Sequence, residues 1–301
     1  MSDLRLFRIG NAAVSQLSGG AIALERSLQD IFEKNLEALL GVRFLASEFV
    51  TNDGGRMDSL GVDENSFPVI VEYKRSTNEN VINQGLFYLN WLMNHRKDFE
   101  WLVLNRFGIE EAKKVDWSGP RLICVAGDFT RYDEHAVKQM NRNIDLIRYR
   151  KFESDLRLLE QLTTATPAAS TPATSRAPGA KTKYTTVSAY LEKASPSLRD
   201  QDDAVAAYLS ALGDDVTEKV TDYYVAFRRI KNFACVEVRV QMHKVLIYVK
   251  LDPTSVALED GFTRDVRKIG HFGTGDLEIS ISSDTDFEKA KPLLERAYNS
   301  G

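Results

Sequence analysis

Two folded units are expected in this chain of 301 residues: an α/β domain with a mixed sheet flanked by helices, then a small α+β domain. Three observations predict this. Residues 163–183, TTATPAASTPATSRAPGAKTK, have almost no large apolar side chain. Such a composition cannot bury enough surface to fold, and its prolines favour extended backbone. Ahead of this segment, helical and strand periodicities alternate; behind it, helices come first and strand-like runs follow. The expected division is therefore 1–162, a linker over 163–183, and 184–301.

Element by element, AIALERSLQDIFEKNLEALLG carries apolar residues at helical spacing and ends at Gly41, which suits a C′ position. VRFLASEFVT, RMDSLGVD and FPVIVEYKR read as three successive strands. Asn78 is placed to cap the helix ENVINQGLFYLNWLMNH. A short helix IEEAKKV leads to a strand RLICVAG, and a helix around DEHAVKQMN leads to a strand DLIRYRKF. ESDLRLLEQL closes the first half. In the second half, TTVSAYL and DQDDAVAAYLSALG read as helices, the latter ending at Gly213. VTEKVTDYYVAFRR, FACVEVRVQ and KVLIYVKLD are strand-like, GFTRDVRKIGHFGTGDLEISISS mixes turns with a strand, and TDFEKAKPLLERAYNS is an amphipathic terminal helix.

Composition narrows the function classes. The chain is 43% hydrophobic and 27% charged, as in an ordinary soluble globular protein. Its two cysteines, Cys124 and Cys235, fall in different halves, which excludes a disulfide framework and a cysteine zinc site and fits a reducing cytosol. There is no run of 18 apolar residues, and MSDLRLFRIG has no apolar h-region, so neither a membrane span nor a secretory signal is expected. The expected location is cytoplasmic. Net charge is −4. Nucleic-acid contact would have to come from local patches, or acidic metal ligands mask the total.

The most informative stretch is VIVEYKRS, residues 69–76. Alternation along a strand puts Ile70, Glu72 and Lys74 on one face and Val69, Val71 and Tyr73 on the other. If DENSF, residues 63–67, turns the chain, Val62 pairs with Pro68, Leu60 with Ile70 and Asp58 with Glu72. Directly opposed carboxylates repel. A divalent cation resolves that conflict, and magnesium commonly takes one or two carboxylates with water and phosphate oxygens. Lys74 is then placed to hold a water aimed at a phosphodiester. An E-x-K pair alone is common and can be a surface salt bridge; Asp58 at the opposing position and the Gly54-Gly55 turn ahead of it raise its significance. Gln84 and Tyr88 share a face of the next helix at i,i+4. Taken singly, Tyr88 suits a core aromatic and Gln84 a solvated polar residue.

GGRMDSLGVDENSFPVIVEYKR followed by QGLFY resembles the PD-(D/E)XK nuclease superfamily, in particular its small NucS-like and restriction-type cores. The resemblance covers about residues 20–105 and implies a restriction-endonuclease-like mixed sheet. Asp58 matches the metal-binding Asp, Glu72-x-Lys74 the (D/E)xK, and Gln84-x-x-x-Tyr88 the QxxxY element of the RecB-like branch. Met57 stands where the motif name has Pro. The family's first-helix acid has candidates in Glu25, Glu33 and Glu37, and the E-x-x-L…N-L pattern favours Glu25. What the resemblance implies is hydrolysis of DNA phosphodiesters dependent on Mg2+, with Mn2+ able to substitute, in restriction, phage defence or repair. Asp58 and Glu72 would bind the metal, Lys74 would position water, and Gln84 and Tyr88 would orient the site. The alternative is a non-catalytic nucleic-acid-binding or protein-interaction module that keeps the fold. A double-strand cut needs two sites, so a homodimer is compatible with this reading. No Gly-rich loop resembles a P-loop, so no nucleotide cofactor is expected. His95, His135, His243 and His271 show no metal-ligand spacing.

Basic residues supply candidate DNA contacts. Arg148 and Arg150 share a strand face, with Lys151 beside them; this face either meets phosphates or protects a sheet edge. In the second half, Tyr223, Tyr224, Phe227, Arg228, Arg229 and Phe233 mix aromatic and basic side chains, suited to stacking bases and contacting phosphates or to packing a small sheet. TDYYVAFRRIKNFACVEV and GFTRDVRKIGHFGTGDLEI resemble a small domain of unknown function fused behind such nuclease cores, in proteins labelled predicted transport proteins. It carries no catalytic residues with it; a targeting or nucleic-acid-binding role is expected.

Overall fold

The computed structural model describes residues 5–9, 14–20, 25–74, 81–153, 155–165 and 187–300. The chain divides into compact units, Met1–Ser170 and Thr171–Gly301. Asn78 and most of the expected linker lie outside the described residues.

In the first unit a short ribbon, β1 (Phe7–Ile9) and β2 (Val14–Gln16), precedes β3 (Gly19–Gly20). Next come α1 (Glu25–Lys34), α2 (Leu36–Leu40), β4 (Val42–Val50), β5 (Arg56–Asp63) and β6 (Pro68–Lys74). The crossover that follows holds α3 (Val81–Asn94), α4 (Arg96–Phe107) and α5 (Ile109–Lys114), and leads to β7 (Arg121–Ala126). Then come α6 (Arg131–Lys138), β8 (Asn143–Phe152) and β9 (Leu156–Ala165). The sheet runs β3-β8-β7-β6-β5-β4, with β9 also on β8. β4, β5 and β6 pair antiparallel, and β6, β7 and β8 parallel.

The first helix breaks at Asn35, whose amide caps Ile31 O at 2.8 Å; such local side-chain bonds compete with helix propagation. Gly41 closes α2 at φ 65°, the left-handed position expected of it. The sequence pattern did not foretell α4, because only Phe99 and Val103 are buried while Trp101 and Leu104 stand exposed, so no apolar stripe marks it. Residues 163–165, expected in the linker, extend β9 instead. The face of Leu60, Val62 and Ile70 packs with Leu122, Leu89 and Leu92 into one core, and the Phe32 ring of α1 meets Tyr73 edge-on at 5.4 Å.

The second unit holds α7 (Val187–Lys193), α8 (Pro196–Ser210), β10 (Thr217–Val220), β11 (Val225–Arg228), β12 (Asn232–Arg239), β13 (Lys244–Val249), β14 (Thr263–Asp265), β15 (Leu277–Ile281) and α9 (Asp284–Ser300). Its antiparallel sheet has the order β10-β11-β12-β13-β15-β14. The run 216–229 is a hairpin, not one strand, because Thr221 Oγ1 donates to Tyr224 O and closes a turn. Leu198 and Leu294 of α8 and α9 cover one face with Phe227 and Phe233; Tyr224, Cys235, Tyr248 and Val266 form a second cluster on the other. There Gly273 (φ 77°) sits so close to Cys235 that a Cβ would lie 2.6 Å from its Cβ, and Thr274 N–H donates to Cys235 Sγ at 3.3 Å. The GHFGTG stretch is thus a turn docked on the sheet. Among the described residues no helix is long and apolar enough to cross a membrane.

Candidate active site

The register of β5 on β6 follows the turn arithmetic: Val62 faces Pro68, Leu60 faces Ile70 and Ser59 faces Val71. One step on, Asp58 meets Glu72, and side chains take over from ladder carbonyls. Asp58 N–H donates to Glu72 Oε1 at 3.2 Å, and Tyr73 N–H donates to Asp58 Oδ2 at 2.9 Å. Glu72 is fully buried; Asp58 and Lys74 are half-buried. Glu72 lies beside Cys124 and Lys74 beside Ala126, at the carboxyl ends of the parallel strands, where open α/β sheets bind ligands.

Two helices clamp the strand that carries Asp58. On the α3 side, Tyr88 Oη accepts from Arg56 N–H and from Gln84 Nε2, both at 3.1 Å. Gln84 and Tyr88 therefore act together on the start of β5. On the α1 side, Gln29 Nε2 donates to Asp58 O at 2.9 Å. Glu33 Oε1 accepts from Ser47 Oγ at 2.8 Å and Ser59 Oγ at 2.7 Å, which makes Glu33 a bracket between α1, β4 and β5. Helical spacing puts positions 25, 29 and 33 on one stripe. The side chain of Glu25 lies outside the described residues.

The local potential is negative. Burial, reinforced by the charges of Glu33, Asp58 and Glu72, drives the Tyr73 phenol far above its ordinary value. Burial and then Glu72 do the same to the Cys124 thiol, so both groups keep their protons. Among the described residues no three or more His, Cys, Asp or Glu side chains converge as a metal-binding group. Asp58 and Glu72, neighbours across β5 and β6, are oxygen donors of the kind that suits a hard cation whose other ligands are water and phosphate oxygens.

The basic candidates fare differently. Arg148 is buried, with a side chain only 3% exposed, and pairs with Asp128 at 3.1 Å and Glu160 at 2.5 Å. Its charge is consumed inside the sheet, so the phosphate contact expected of it is corrected to an internal ion pair. Arg150 and Lys151 are half-buried near the end of β8. Arg228 is buried and donates to Thr217 Oγ1 at 3.3 Å. Arg229 pairs with Asp215 at 2.6 Å and lies over the Tyr298 ring. Phe227 and Phe233 are core residues and Tyr223 stacks on Phe272 at 4.6 Å. Tyr224, Phe227, Arg228 and Phe233 of the aromatic-basic cluster are thus packed on the sheet, while Tyr223 and Arg229 are half-buried.

A buried triad escaped the sequence reading. Arg121 Nη1 reaches Asp63 Oδ2 at 3.1 Å and Arg121 Nη2 reaches Asp145 Oδ2 at 2.6 Å. Its signal was charges inside the apolar runs RLICVA and NIDLIRY.

Residues 187–301 match the family model described as "Domain of unknown function (DUF5655)". A protein of Haemophilus influenzae (strain ATCC 51907 / DSM 11121 / KW20 / Rd), described as "Uncharacterized protein", is 28% identical over 305 residues, covering 98% of this chain and 99% of its own. Among solved structures, a chain of "Structure of EndoMS-dsDNA2 complex" is similar with a TM-score of 0.26 and 20% identity; the match covers 43% of this chain and spans less than half, 47%, of that one.

Proposed function

We propose that the first unit is a metal-dependent deoxyribonuclease that hydrolyses DNA phosphodiesters, in restriction, phage defence or repair. The observation that carries this reading is the cross-strand bonding of Asp58 and Glu72, in which Glu72 Oε1 accepts Asp58 N–H and Asp58 Oδ2 accepts Tyr73 N–H, with Lys74 two residues beyond Glu72. Asp58 and Glu72 would hold Mg2+, or Mn2+ in its place. Bound there, the cation supplies charge that polarises the scissile phosphate and stabilises the leaving oxygen.

The chain's own residues do the rest. The Lys74 ammonium orients the attacking water. Gln84 and Tyr88 act as positioning residues, fixing Arg56 N–H and through it the strand that bears Asp58. Glu25 is kept as the first-helix acid on the E-x-x-L…N-L pattern, with Glu33, whose Oε1 accepts from Ser47 and Ser59, as its competitor. Arg150 and Lys151 are the remaining phosphate candidates of β8, a double-strand cut would take two copies, and the second unit would target the first.

The test is incubation of the full chain with linear and circular DNA, in magnesium or in EDTA. Metal-dependent nicking is expected. Asp58→Ala and Lys74→Ala are each expected to abolish it while keeping the circular dichroism spectrum of the folded protein, with a lower Tm for Asp58→Ala alone because Tyr73 N–H loses its acceptor. Wild-type cleavage by both variants would refute the assignment.

A further inference from the structure

Glu48 sits in β4 at φ 49°, a left-handed conformation that a non-glycine residue in a strand seldom holds. Such strain persists where the surroundings enforce it, and an outlier of this kind is a pointer to function. The pairs Ser47–Ser59 and Phe49–Met57 put Glu48 across from Asp58. Its carboxylate gathers two guanidinium groups, Arg26 Nη1 at 2.5 Å and Arg56 Nη1 at 3.2 Å. Arg26 also reaches Asp30 at 3.3 Å.

Neither arginine needs Glu48 as a buried counter-charge, because their side chains are 59% and 60% exposed. Exposed pairs of this kind contribute little to stability and exchange readily for another anion. Arg56 shares a strand face with Asp58, about 7 Å along at the rise of an extended strand. Its backbone is fixed by Tyr88 Oη, so its guanidinium starts from a held position. A guanidinium fork fits phosphate oxygens with two parallel hydrogen bonds.

We propose that Arg26 and Arg56 form a clamp for a DNA-backbone phosphate beside the one that is cut, and that Glu48 holds the clamp neutralised until that phosphate displaces it. The proposal rests on the nuclease reading of the first unit, and its test does not depend on cleavage. The full chain is titrated into a fluorescein-labelled DNA duplex in EDTA, and anisotropy is read across a salt series. Arg26→Gln and Arg56→Gln are each expected to weaken binding roughly tenfold. Each should also flatten the slope of log K against log salt by about one. Glu48→Gln is expected to tighten binding. Glu48→Gly, which also relieves the backbone, is expected to tighten it with Tm unchanged or raised.

A purely structural bridge would give the reverse for Glu48→Gly: lower Tm and unchanged DNA affinity. That result, or wild-type affinity and salt slope for Arg56→Gln, overturns the clamp. If wild-type protein still nicks DNA, the nuclease reading survives that loss. If it never nicks DNA but the arginine variants lose affinity as stated, the nuclease reading falls, and with it the place of the phosphate beside a cut, while Arg26 and Arg56 remain contacts to the DNA backbone.

Discussion

Gly55 shows how one missing side chain supports the candidate site. A Cβ there would lie 2.5 Å from Tyr88 Cε1 and 3.1 Å from Thr51 Oγ1. Gly55→Ala should therefore push Tyr88 off Arg56 N–H, lowering stability in urea by about 1–3 kcal/mol. Tyr88→Phe leaves that N–H without its partner, a loss of about 1–3 kcal/mol read the same way. Asp202 gives a pH signature. Burial, then Asp203 and Glu218, push its carboxyl up to about 6 from 3.8. A carboxyl raised on folding disfavours the fold when ionised. Its contribution to stability should thus improve as pH falls from about 6 towards about 4. Asp202→Asn should stabilise at neutral pH by about 1–3 kcal/mol, with the gain gone below about pH 4, as thermal melts across pH would show. At this scale Asp58 and Glu72 were legible, because alternation and a short turn fix which side chains meet. Arg148 was not: its partners Asp128 and Glu160 are 20 and 12 residues away.

At the scale of elements, β6 is the pivot of the sheet. It pairs antiparallel with β5 and parallel with β7. One end of it carries Glu72 and Lys74. The other is tied down by the Arg121 triad, where Asp63 also accepts from Asn65 and Phe67 N–H at 2.9 Å and so shapes the β5–β6 turn. The turn on which the register rests is thus held by an ion pair to the neighbouring strand. Arg121→Met would leave Asp63 and Asp145 buried without their cation. A loss of about 3–5 kcal/mol in guanidinium chloride is expected. Strand limits were readable wherever apolar runs met turn residues, as in RMDSLGVD. α4 was unreadable because its contacts, not its own pattern, make it a helix.

At the scale of the molecule, each unit holds its own core. Residues 187–301 expressed alone should therefore unfold cooperatively, with a single sharp transition by near-UV circular dichroism. Burial pushes the Cys235 thiol up to about 11. It should resist alkylation in the folded fragment and react once denaturant crosses that same transition.

The order of most elements and the β5–β6 register, which pairs Ser59 with Val71 one step from Asp58 and Glu72, are legible in the sequence alone. These follow from local periodicity and turn length, which short-range sterics impose. Which charges remain outside is fixed by tertiary packing. Burial depends on what packs above a residue, and that is set by distant segments. It turned Arg148 and Arg228 inward, paired the half-buried Arg229 with Asp215, bonded Glu33 to two serines, and left Arg26 and Arg56 exposed around a strained Glu48.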